Sequence, residues 1–224
     1  MGFHVIIMKE GNQMVHRYVK TYEALADVSE LTKDSIIYEG EEHWRPEIAG
    51  QCERYKQFTD PQLRAGLKAQ YVFKRQAEDR GLVVQEINQD KESYKKAYKI
   101  AKCAIKRGDF IIRNAGGIEV DVKCKAFKRE QGERYFHFNV EDFPKHGNMT
   151  TKITNVPVII AVYERQGEKV NENQLFMFEI QEMQKQLETL TKIDSEHGPC
   201  YLIPIGKTKK GFQLIEQYKR RIPA

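Results

Sequence analysis

The stretch GDFIIRNAGGIEVDVKCK, residues 108–125, constrains the fold more than any other part of the chain. FIIR (110–113) and IEVDVKCKAF (118–127) read as strands, and the Gly116-Gly117 pair between them suits a hairpin turn. Side chains alternate across a strand, so Glu119, Asp121 and Lys123 share one face while Val120, Val122 and Cys124 share the other. A solvated face is one reading of that charge. The other is a shared cation site: a hairpin brings Asp109 and Asp121 to neighbouring positions, and two carboxylates that close repel unless a cation sits between them. Hard oxygen ligands suit Mg²⁺, with Mn²⁺ able to substitute. Lys123, one step along the same face, could hold a water or a phosphate oxygen there. Asp, Asp and Lys converging on one point is what phosphodiester hydrolysis needs.

The rest of the chain reads as alternating helices and strands, an α/β layered arrangement. Asp60-Pro61 opens a helix expected to run to about Arg80 and stop at Gly81. LVVQEI (82–87) reads as a strand and residues 90–108 as a helix, with Tyr94, Ala97 or Tyr98, Ala101 and Ile105 at helical spacing. YFHFNV (135–140) is a further strand, followed by a polar helix or loop over 141–154. The continuous apolar run VPVIIAVYER (156–165) predicts a central buried strand. QLFMFEI (174–180) and YLIPI (201–205) are expected strands, EMQKQLETL (182–190) a helix, and the basic tail a helical turn. Before residue 61 the expectations are a strand at 3–8, a helix at 18–28, a strand at 35–40 and a loop at 41–50. This divides the chain into an N-terminal α/β extension, 1–60, without a nameable chemical motif, and a main domain, 61–224.

Composition narrows the function classes. With 40% hydrophobic and 31% charged residues the chain can build a core under a well-charged surface, and no run of about 18 apolar residues spans a membrane. The opening MGFHVIIMKEG lacks a secretory leader, so an intracellular, cytoplasmic protein is expected. The four cysteines form no CxxC pair and the six histidines show no HExxH spacing, which leaves no sequence-level zinc site. A net charge of +5 and a pI near 8.9 are compatible with a polyanionic partner.

GLKAQYVFKRQAEDRGLVV followed by GDFIIRNAGGIEVDVKCK resembles the core of the PD-(D/E)xK nuclease superfamily, with the archaeal Holliday-junction resolvases a similar branch. The shared order is a helix bearing an acid, a strand, an Asp, a spacer, then Asp or Glu-x-Lys. Here it is Asp109, eleven intervening residues, then Asp121-Val122-Lys123, and the likeness covers roughly residues 62–165. Gly108 stands where the family often has Pro, and Gln70 where the helix acid usually sits.

The resemblance implies a restriction-endonuclease-like mixed central sheet flanked by helices. It implies a Mg²⁺-dependent endonuclease acting on DNA ahead of RNA, with a homodimer an option for cutting both strands. Asp109, Asp121 and the Val122 carbonyl would hold the metal, Lys123 would position or activate water, and Gln70, on a stripe with Gly66, Phe73 and Ala77, would orient the metal shell. Glu119 would partly compensate for the missing acid or stand at the rim. The alternative keeps the fold, drops catalysis, and binds nucleic acid or a protein partner through the same cleft. Tyr163, Arg165, His137 and His146 read as packing or surface positions. Lys207, Lys209, Lys210, Lys219, Arg220 and Arg221 are equally a phosphate-binding rim or a solvated tail, and Trp44 either packs or stacks on a base.

Overall fold

The computed structural model describes residues 4–10, 13–19, 35–38, 41–44, 61–87, 97–130, 132–167, 169–196 and 198–220, with side chains from Ala65 onward except that of Leu67. It is a mixed α/β structure. Before residue 61 it contains two antiparallel hairpins: β1 (His4–Glu10) with β2 (Gln13–Val19), and β3 (Ser35–Tyr38) with β4 (Glu41–Trp44). β2 extends through Tyr18 and Val19, so the expected helix does not begin at 18, and its remainder lies outside the described residues. Residues 41–44, expected as loop, are strand because SIIY and EEHW pair antiparallel in register.

Helix α1 (Pro61–Glu78) ends as its sequence demands. Gly81 adopts φ +70°, open to glycine at no steric cost, and Leu82 N–H donates back to the Ala77 carbonyl. The chain then enters β5 (Val84–Glu86), β6 (Phe110–Ile112) and β7 (Ile118–Lys125), an antiparallel meander. Between β6 and β7 runs a single 3₁₀ turn, Arg113–Ala115, before Gly116 and Gly117, both at positive φ. Asn114 ties this turn down, accepting from Val83 N–H and donating to the Gly81 carbonyl.

After β7 come β8 (Lys128–Glu130), β9 (Glu133–Asn139) and helix α2 (Asp142–Met149), whose last turn widens into a π turn over Thr150–Thr154. The crossover then delivers β10 (Val158–Gln166), the central buried strand expected from the apolar run, parallel to β7, and β11 (Lys169–Glu179) returns antiparallel to it. Helix α3 (Ile180–Gln184) and a 3₁₀ turn (Leu187–Thr189) replace the single helix expected over 182–190. β12 (Lys192–Ser195), β13 (Gly198–Pro204), the short β14 (Lys209–Lys210) and helix α4 (Gln213–Arg220) complete the chain. Two larger sheets result, one ordered β14-β11-β10-β7-β6-β5 and one ordered β12-β13-β9-β8.

The alternation in β7 sorts the core into two layers. Ile118, Val120 and Val122 join Ile159, Ala161, Tyr163 and Met177 on the face covered by α1 and α4, where Phe73 stacks between Phe110 and Phe212. Val158, Ile160, Val162 and Phe178 lie on the other face, packed against Phe136, Phe138 and Ile203 of the second sheet and Phe143 of α2. Sandwiched this way, β10 is buried through six consecutive residues, the pattern of a strand covered on both faces. Glu119 and Asp121 point into this second layer and are only 1% and 2% exposed. The charged face of β7 is therefore buried, and the solvated reading of it falls away.

Among the described residues no helix is long and apolar enough to cross a membrane.

Candidate metal and phosphate site

Asp109 stands at the entry to β6 and brackets Asp121. Its N–H donates to the Val120 carbonyl at 2.7 Å. Its Oδ2 accepts the Val122 N–H at 2.7 Å. The N–H and C=O of one strand residue point to the same edge, so the Val122 carbonyl faces the side on which Asp109 sits. Three of the expected site residues are thus brought together, and Lys123 completes the set: its ammonium lies 2.8 Å from Asp121 Oδ1 and 2.6 Å from Oδ2.

The entry to β6 depends on Gly108. A Cβ there would lie 2.7 Å from the Val120 oxygen and 2.8 Å from its carbon, so no side chain fits. Gly108 N–H also donates to Glu119 Oε2 at 3.0 Å. Proline would both clash and lack that donor. Glycine at 108 is a requirement of this backbone.

Glu119 belongs to that scaffold. Its Oε1 accepts from Arg107 Nη2 at 2.6 Å and Nε at 3.1 Å, and its Oε2 takes Gly108 N–H. The carboxylate is already held by three donors and anchors the strand entry.

Residues 90–108, expected as one helix, are helical at 97–101; residues 88–96 lie outside the described set. At Lys102 φ turns to +52°, and residues 102–109 run to β6 as neither helix nor strand. This segment is bonded along α2: Lys106 N–H donates to the Lys145 carbonyl and Asn148 Nδ2 to the Ala104 carbonyl. These tertiary bonds override a local helical spacing that Ala101 and Ile105 would satisfy, and they carry the Lys106 side chain over Asp121.

Three residues outside the sequence motif meet at the same point. Lys106 Nζ bonds Asp142 Oδ2 at 2.6 Å and stands 3.8 Å from Asp121 Oδ2. His146, fully buried, places Nε2 3.1 Å from Asp121 Oδ2. Asp142 and His146 are spaced i, i+4 and so share a face of α2. One donor atom each from Asp121, Asp142 and His146 falls within 4.8 Å of the others. His146 is therefore buried against Asp121 and is not a surface position. The DFPKH spacing was the only signal for it, and nothing before folding says that the face turns to β7.

Burial alone would raise the Asp121 carboxyl, yet Lys123, Lys106 and His146 more than offset it and hold it well below the usual carboxylate range. Burial would likewise lower Lys123, and Asp121 and Asp109 reverse that, keeping the ammonium well above its ordinary value. Asp121 is ionised and Lys123 is a cation across the neutral range.

Gln70 is half-buried on α1, beside the buried stripe Ala65, Ala69, Val72, Phe73 and Ala77. That stripe faces the Val120–Val122 side of the sheet, the side opposite Asp121. Tyr163 is buried and donates to Gln76 Oε1, a packing role as expected. Arg165 is half-buried. His137 stacks on Tyr135 on the outer side of β9. Lys207 bonds Thr189 Oγ1, and Lys209 and Lys210 are exposed on β14 at the far edge of the first sheet from β5. Lys219 donates to the Gly81 carbonyl and Arg220 to that of Glu216. Arg221 and the Trp44 side chain lie outside the described set.

The donor set suits a divalent cation: carboxylates and a backbone carbonyl on the β6 side of Asp121, and a carboxylate and an imidazole on the α2 side. No family model, curated protein or solved structure matches the chain.

Proposed function

We propose that the chain is a metal-dependent phosphodiester hydrolase acting on nucleic acid, DNA ahead of RNA, built on a restriction-endonuclease-like core. The observation that carries this reading is that Asp109 bonds the backbone on both sides of Asp121 while Lys123 bonds Asp121 itself. The order of elements supports it: α1, an antiparallel β5-β6-β7 meander, and a crossover through α2 to a parallel β10. The resemblance implies, more coarsely, a mixed central sheet flanked by helices, and this order of elements is compatible with it.

Asp109, Asp121 and the Val122 carbonyl would hold the ion. A divalent cation in that position supplies Lewis-acid polarisation of a phosphate oxygen and activation of a water. The chain's own residues do the rest. Lys123, whose ammonium bonds Asp121, would position or activate the water and offset charge developing on phosphate. Asp109, through Val122 N–H, fixes the strand that carries both Asp121 and Lys123. Lys106 adds a second positive group, bonded to Asp142 on the α2 side.

The binding-only alternative draws on one observation. α1 offers an amide at Gln70, from a helix that covers the opposite sheet face. Both readings are tested by incubating supercoiled, linear, single-stranded and branched DNA with the protein in Mg²⁺ or Mn²⁺, beside Asp121→Ala and Lys123→Ala. Cleavage lost in both variants is the expected result. Binding without cleavage under either metal supports the binding module instead, and variants as active as the parent sink the site assignment.

A further inference from the structure

Asp121 faces two different neighbourhoods. On the β6 side stand Asp109 and the Val122 carbonyl; on the α2 side stand Asp142 and His146. In the second, a cation is already present in the form of Lys106, whose ammonium bonds Asp142 and lies 3.8 Å from Asp121 Oδ2. An ammonium so placed marks the point where positive charge is wanted, and Lys106 is about one-third exposed, so it can withdraw to solvent.

The imidazole adds a chemical preference. His146 is fully buried, its Nε2 aims at Asp121, and its Nδ1 has no hydrogen-bond partner. As a metal ligand through Nε2, the ring carries its proton on Nδ1, and ligating histidines usually give that proton to a carbonyl or carboxylate. The one other buried side-chain atom without a partner, among the described residues, is an acceptor: Gln181 Oε1. Gln181 reaches α2 from α3 and its amide N–H bonds Thr150 Oγ1, one helical turn beyond His146. With its proton on Nδ1, as ligation through Nε2 would require, His146 would offer a donor on the same stretch of helix to which Gln181 brings an acceptor.

We infer that Asp121, Asp142 and His146 form a second divalent-cation position, selective for an ion that accepts nitrogen, such as Mn²⁺, Fe²⁺ or Zn²⁺, and occupied in exchange for the Lys106 ammonium. The two-carboxylate, one-imidazole set discriminates against Mg²⁺, which prefers oxygen. The position rests on the metal-centre reading above in sharing Asp121, but it needs no cleavage to exist.

The test is Mn²⁺ titration of the metal-stripped full chain followed by electron paramagnetic resonance, with pulsed measurements for nitrogen coupling. Bound Mn²⁺ is expected to show histidine nitrogen coupling that changes on ¹⁵N-histidine labelling. His146→Gln and Asp142→Asn should weaken binding roughly tenfold or more, and His146→Gln should erase the coupling. Lys106→Met, which removes the competitor, should tighten binding. If His146→Gln does not fold, the isotope-labelled parent protein decides alone. Bound Mn²⁺ without nitrogen coupling, or no bound Mn²⁺, overturns the inference. Nitrogen coupling without cleavage of any nucleic acid leaves it standing and defeats the nuclease reading, whereas cleavage without coupling does the reverse.

Discussion

His146 Nε2 lies 3.1 Å from Asp121 Oδ2, joining a helix and a strand that are 25 residues apart in the chain. The contact is closed from water on both sides, with His146 0% and Asp121 2% exposed. A carboxylate so enclosed remains charged only because Lys123 and Lys106 stand against it.

Asp121→Asn therefore removes the partner of Lys123 and should cost about 3 kcal/mol, the lower end of the range for breaking a buried pair, because Lys123 retains some access to solvent. The pH dependence follows in sign. The folded-state pKa of Asp121 lies below its unfolded value of about 3.9. Its contribution is present above about pH 4 and is lost as pH falls through the folded value. Denaturant midpoints from pH 2 to 7 should show a steeper acid decline for the parent protein than for the variant.

Gly108→Ala places a methyl group against the Val120 backbone, which cannot rotate away. Overpacking of this kind costs roughly 2 kcal/mol. For a chain of 224 residues that corresponds to a fall in Tm of roughly 4–8 °C. Differential scanning calorimetry would show it; an unchanged Tm would mean that β6 can enter the sheet by another path.

Glu119→Gln separates scaffold from site. The variant keeps a side chain of the same shape but removes the charge that Arg107 meets at 2.6 Å. Arg107 is about one-third exposed, so the loss should be modest, about 1–2 kcal/mol. Mn²⁺ affinity should stay within twofold of the parent. A large loss of metal binding at preserved stability would instead return Glu119 to the metal shell.

Cys124 offers a probe of the opposite face. Burial pushes its thiol up to about 11, more than Arg165 and Lys125 lower it. Thiolate is the reactive form, so iodoacetamide at pH 8 should label Cys124 slowly in the native protein and quickly in denaturant. Peptide mass spectrometry would read both rates.

Much of the first sheet was legible because its signals are local. The alternation of β7, the continuous apolar run of β10 and the Gly81 stop of α1 each depend on residues within one element. Asp109, Asp121 and Lys123 were legible too, since a hairpin brings together residues close in sequence. What escaped was tertiary. Lys106 sits on a stretch whose spacing is helical but whose bonds go to Lys145 and Glu119. Asp142 and His146 arrive by a crossover that no periodicity announces. KIDS, the short and charged β12, carries too little apolar pattern to stand out.

Lys106, Arg107, Gly108 and Asp109 are consecutive, and each is fastened in place: Lys106 to Asp142, Arg107 and Gly108 to Glu119, and Asp109 to the Val120 carbonyl and the Val122 N–H. Four tasks at four adjacent positions leave no slack in chain length. A single inserted or deleted residue between Ala104 and Phe110 would misalign all of them together, while the β8–β9 connection could change length without touching any. Across natural variants of this chain, length polymorphism should therefore spare this segment even where individual residue identities drift.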